Sequence, residues 1–151
     1  MSDMQVSVLA SYRDDVHPPR GFCAVAVSHP GGPGGQDGII VRPTGVGSEA
    51  TLPAAIAKAL SLITERPADV TATMHVDREA YDAITYARDV PATCTDALEA
   101  WRDVASMTTA LGDRLSVIGD LGTAERGALA SATATSMSRE GVPLRGPRGH
   151  Y

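Results

Sequence analysis

The stretch Arg20-Gly21-Phe22-Cys23-Ala24-Val25-Ala26-Val27-Ser28-His29 decides the fold. Side chains of an extended chain alternate between faces, so Phe22, Ala24 and Ala26 share one face and Cys23, Val25 and Val27 the other. Both faces are apolar. A strand of that kind belongs inside a sheet covered on both sides, so helices must pack on it. Upstream, Gln5 to Tyr12 (QVSVLASY) is rich in β-formers and reads as a first strand. Asp14-Asp15-Val16-His17-Pro18-Pro19 joins the two, because paired prolines fix φ and remove two donors. Downstream, Pro30 to Gly35 is a loop and Gly38 to Pro43 (GIIVRP) a short third strand. The three strands make an antiparallel meander.

Beyond Pro43 the period changes. Leu52, Ile56, Ala59, Leu60 and Ile63 follow helical spacing, with Ser48 or Thr51 as cap and Pro53 in the first turn. Arg66-Pro67 ends that helix. Val70 to Val76 (VTATMHV) reads as a fourth strand running into Asp77, and a second helix spans about Arg78 to Arg88. Thr95 or Asp96 caps a third helix whose inward positions are Leu98, Trp101, Ala105 and Thr108, and Gly112 stops it. Leu115 to Gly119 (LSVIG) is a fifth strand. Thr123 caps a last helix, Ala124 to Arg139, with an inner face of small residues.

The chain has 151 residues, 43% of them hydrophobic, and a formal charge of -5. That is one domain's worth of core. Residues 1–140 are expected to form it, and Gly141 to Tyr151 (GVPLRGPRGHY) a flexible Pro/Gly-rich tail. No apolar run reaches the roughly 20 residues of a membrane span, and the first residues do not resemble a secretory leader. Cys23 and Cys94 lie far apart in sequence and make neither a disulfide framework nor a metal knuckle. A cytoplasmic protein without membrane contact is expected. The acid surplus argues against a general nucleic-acid coat, though not against a local basic patch. The basic charge is carried by arginine except at Lys58, and alanine is abundant. That is the skew of a high-GC genome, such as an actinobacterial or phage one.

The order β-β-β-α-β-α-α-β-α implies a mixed five-stranded sheet with helices on its faces. It resembles the ribonuclease H family. That family opens with a strand of the type VxIxTDGS, where this chain has Val6-Ser7-Val8-Leu9-Ala10-Ser11. The family's Gly-rich approach to the second strand is matched by Arg20-Gly21-Phe22-Cys23-Ala24-Val25. Its E-L-x-A-A-I helix run is matched by Thr51-Leu52-Pro53-Ala54-Ala55-Ile56, and its acid after the fourth strand by Val76-Asp77-Arg78. The last strand and helix correspond to Ser116-Val117-Ile118 and Glu125 to Ala134. The resemblance covers about residues 5 to 139 and implies an α/β, ribonuclease H-like fold.

It also implies a chemistry. Four carboxylates hold two divalent cations about 4 Å apart for phosphodiester cleavage, and hard Mg²⁺ or Mn²⁺ needs oxygen ligands. Carried over, the first-strand acid falls on Ala10, the helix acid on Thr51, the fourth-strand acid on Asp77 and the last near Ala128. A site shifted along the sheet would instead use Asp14, Glu49, Asp77 and Asp120 or Glu125. An acid after Tyr12 lies beyond the strand, at about 3.3 Å per residue. Asp77, Asp14, Glu49 and Asp120 are thus the candidate catalytic residues, and no metal ligand is assigned. Arg13, Arg20, Arg42 and Arg78 cluster near the sheet end that binds hybrid duplex in active relatives. With Arg145 and Arg148 of the tail they are candidates for nucleic-acid contact.

Other signals read as structure. His75 is a packed or edge strand residue, and His17 a solvated loop residue. Cys94 stands at a helix start with no histidine near it in sequence. Gly31 to Gly38 lacks the Lys-Ser/Thr of a phosphate loop. The expectation is therefore a non-catalytic ribonuclease H-like binding module acting through a protein or nucleic-acid partner, with no cofactor. A divergent nuclease using Mg²⁺ or Mn²⁺ to cleave RNA in RNA/DNA hybrids is the first alternative. A small structural or regulatory protein is the second.

Overall fold

The computed structural model describes residues 2–13, 19–28, 38–45, 48–86 and 94–139. The elements are β1 (Ser2–Arg13), β2 (Arg20–Ser28), β3 (Gly38–Gly45), α1 (Ser48–Thr64), β4 (Val70–His75), α2 (Arg78–Thr85), α3 (Thr95–Leu111), β5 (Leu115–Ile118) and α4 (Thr123–Arg139). This is the expected order. Asp14, Asp15, His17, Ala87, Arg88, the Gly31–Asp37 run and the tail with Arg145 and Arg148 lie outside the described residues.

The strands line up as β3-β2-β1-β4-β5. The meander pairs antiparallel, and β4 and β5 join parallel to β1 through helical crossovers. The two apolar faces of β2 go to two cores. Cys23 and Val25 join Met4, Val6, Val8, Met74 and Val76 under α1 and α3. Phe22 and Ala24 join Leu9 and Val41 under Leu121 and Leu129 at α4. Pro43 sits in β3, an edge strand, where its missing N–H costs no interior ladder bond.

Local chemistry sets the ends. Asp77 caps α2 by accepting the Ala80 N–H at 3.0 Å. Gly112 ends α3 with φ at +52°, a conformation that side chains disfavour. Arg114 ties the approach to β4 through the carbonyls of Val70, Arg66 and Pro67 at 3.1, 3.3 and 3.0 Å. Three expectations shift. The α3 cap is Cys94, whose sulfur accepts the Ala97 N–H at 3.4 Å, rather than Thr95 or Asp96. The buried stripe of α3 is Ala97, Trp101, Val104, Ala105 and Leu111, which leaves Leu98 exposed. Helix α1 begins at Ser48, so Pro53 lies inside it and the Glu49 carbonyl has no i+4 amide donor.

Alternation then divides the α4 side of the sheet. Helix α4 covers β2, β3 and the C-terminal half of β1. Asp3, Gln5 and Ser7 of β1 and Thr71, Thr73 and His75 of β4 share that face, and all but Ser7 are at least partly exposed. Among the described residues no helix is long and apolar enough to cross a membrane.

Candidate functional site

Parallel strands β1 and β4 begin together and β4 ends opposite Ser7, which places the candidate acids. Ser7 pairs with His75, so continuing the register sets Asp77 level with Leu9 and beside Ala10. Ala10 turns toward the α1 side and packs against the larger core. Thr51, at the start of α1, is buried against Gly21, whose β1 partner is Tyr12. Both Asp77 carboxylate oxygens are engaged, one capping α2 and the other 3.7 Å from an Arg126 guanidinium nitrogen. The last helix therefore brings an arginine to Asp77. Ala128 is exposed and lines a cleft with Ile39, Val41 and Arg42 of β3.

Glu49 lies in the first turn of α1, two residues before Thr51. Asp120 is exposed and follows β5, whose Ile118 carbonyl accepts the Val76 N–H at 3.0 Å. Asp77 and Asp120 thus follow the ends of adjacent strands. Among the described residues, no three His, Cys, Asp or Glu side chains are gathered so as to hold a metal ion. Asp14 is not among those residues.

No family model matches the sequence, and no curated protein matches it. Solved structures do. Ribonuclease H1 LC11, isolated from compost, superposes with a TM-score of 0.66 at 11% identity, over 93% of this chain and 99% of its own. Ribonuclease H1 of Halobacterium salinarum gives 0.64 at 12% identity, over 89% and 98%. The N-terminal ribonuclease H domain of a Mycobacterium tuberculosis protein gives 0.62 at 8% identity, over 93% and 99%. The chain has the ribonuclease H-like fold.

Within this ribonuclease H-like frame the residues carried over by resemblance do not fit a pair of divalent ions. Ala10 offers no ligand atom, and Ser11, which falls at the acid when VxIxTDGS is laid on Val6, offers only a neutral hydroxyl. The Thr51 hydroxyl is neutral and buried. Asp77 faces a guanidinium, a fixed positive charge that repels a cation at the same carboxylate. The arginines are placed by backbone register. Arg13 and Arg20 are directly paired across β1 and β2. Arg42 on β3 pairs with Cys23, three residues along β2 from Arg20, and its guanidinium donates to the Val41 carbonyl at 2.9 Å. Arg78 lies at the far side, 3.5 Å from Asp82 and stacked on Tyr81 at 5.3 Å. The four occupy one end of the sheet, and only Arg13 and Arg20 are adjacent.

Arg126 carried no sequence signal, because its role depends on α4 meeting the end of β4. A second polar group on the open sheet face is hinted at by alternation in Asp3-Met4-Gln5-Val6-Ser7 and Thr71-Ala72-Thr73-Met74-His75. Thr71 and the Gln5 amide nitrogen donate to Asp3 at 3.0 and 2.7 Å, and His75 Nε2 meets Gln5 Oε1 at 2.7 Å. The Ser7 hydroxyl donates to Glu125 in the first turn of α4. His75 is thus part of a hydrogen-bonded ladder, beyond the packed role read from sequence.

Proposed function

We propose that the chain is a ribonuclease H-like binding module that acts through a protein or nucleic-acid partner and does not cleave phosphodiesters by the two-metal route. The single observation that carries this reading is the Asp77–Arg126 pair at 3.7 Å. It puts an internal cation at the one acid that matches the family pattern. No carboxylate stands at the first-strand position either, whether the pattern is set on Ala10 or on Ser11. The ion pair is half-exposed and contributes at most about 1 kcal/mol to stability, so its importance lies in its position.

An RNA/DNA hybrid incubated with the purified protein and Mg²⁺ or Mn²⁺ should stay intact. Cleavage that Asp77→Asn abolishes would overturn the proposal. Fluorescence anisotropy with the same hybrid separates the partner classes. Binding that weakens steeply as salt rises marks contacts to the phosphate backbone, expected at the Arg13–Arg20 end. No binding at low salt assigns the module to a protein partner.

A further inference from the structure

The open face of the sheet carries a cleft of about 570 Å³ beside α4, adjoining the Asp77–Arg126 pair through His75 and Glu125. Its polar groups are Gln5, Ser7, Ser28, His75 and Glu125, and Ala26, Val27 and Ile39 supply apolar wall. Hydrogen-bond direction can be assigned for most of them. The Asp3 carboxylate only accepts, so the Gln5 NH₂ must face it and the Gln5 carbonyl must face His75. His75 therefore donates through Nε2–H, which leaves Nδ1 as the accepting nitrogen of the neutral ring. The Glu125 carboxylate likewise only accepts, so the Ser7 proton points to it and the Ser7 oxygen is left as an acceptor. Glu125, His75 Nδ1 and the Ser7 oxygen all seek donors, and Ser28 can serve either way.

Among the described residues no arginine or lysine lines the cleft, and Arg126, next in sequence to Glu125, turns to Asp77. A phosphate or carboxylate ligand would meet a carboxylate and several acceptors. We propose that this cleft is a binding site for an organic cation: an amidinium, guanidinium or primary ammonium group on a small apolar body. The head donates to Glu125 and to the His75 and Ser7 acceptors, and the body lies on Ala26 and Ile39. Planar N–H forks suit a carboxylate particularly well, because two parallel charge-assisted bonds form at once. The same chemistry can come from a free small molecule or from an arginine side chain of a partner protein.

The test is an NMR titration of the full chain with benzamidine, against benzoate and benzyl alcohol as matched anionic and neutral rings. Saturable shifts at Ser7, His75 and Glu125 are expected with benzamidine only. Glu125→Gln keeps an acceptor for Ser7 but removes the charge, and should weaken benzamidine about tenfold or more with an unchanged melting curve. Capped arginine amide distinguishes the sources: binding at least as tight as benzamidine marks a protein side chain, and weaker binding marks a free ligand. The proposal fails if benzamidine gives no saturable shift at millimolar concentration. It also fails if benzoate or benzyl alcohol binds equally well, if the shifts map elsewhere, or if Glu125→Gln binds as the parent does.

Discussion

At the scale of single residues, two positions on β2 show how closely α1 seats on the sheet. A Cβ added at Gly21 would lie 2.2 Å from Thr51 Oγ1 and 2.5 Å from Thr44 Oγ1. Both neighbours are β-branched, and Thr51 is buried, so neither can swing away freely. Gly21→Ala should therefore cost about 1–3 kcal/mol in a urea melt, more than it recovers by restricting the unfolded chain. Two residues on, the Cys23 thiol meets the Ala55 carbonyl of α1 at 3.5 Å, an arrangement only the protonated form can make. Burial pushes this thiol from 9.0 up to about 12, with Lys58 pulling slightly the other way. Between those values the unfolded chain releases the proton and the folded one keeps it. The thiol's contribution is thus complete below pH 9 and fades as pH rises toward 12. The stability gap between the parent and Cys23→Ala should narrow above pH 9, and a constant gap would refute this.

At the scale of elements, the strands and helices were legible because each carries its own period. The doubly apolar β2, the helical spacing from Leu52 to Ile63 and the Asp77 cap each point to one structure. The errors occurred where local cues compete. Cys94, Thr95 and Asp96 can all cap a helix, and only the backbone geometry selects Cys94. Leu98 fits an apolar stripe by spacing, yet Ala97 is the residue that packs, since α3 lies close on α1 and a small side chain fits there. The site was less legible than the fold. Sequence spacing can say that Ser11 and Thr51 stand where the family pattern has acids. It cannot say that Arg126 reaches Asp77 or that Glu125 meets Ser7, because those contacts join elements 49 and 118 residues apart in the chain.

At the scale of the whole molecule, the two faces of the sheet are unequally covered. The larger core holds Ile56, Leu60, Ile63, Trp101 and Val104 from α1 and α3, packed on the sheet. The opposite face depends on α4, whose buried side chains among the described ones are Leu129 and Thr133, supported by Leu121 just ahead of it. Many other α4 residues are alanine, serine or threonine, which bury little apolar area. Both polar contacts argued above, Arg126 to Asp77 and Glu125 to Ser7, sit in its first turn. Cooperative units with few buried apolar contacts open at lower free energy than the core. Helix α4 should therefore exchange its amide hydrogens through a partial opening that lies about a few kcal/mol below global unfolding. The amides of β1, β4 and α1 should exchange only with the whole molecule. Native-state hydrogen exchange across a series of sub-denaturing urea concentrations separates the two, because the partial opening has a shallow urea dependence and global unfolding a steep one. If α4 amides follow the steep dependence at every concentration, the helix belongs to the same cooperative unit as the core. The first-turn contacts would then be fixed parts of the fold, with no independent opening.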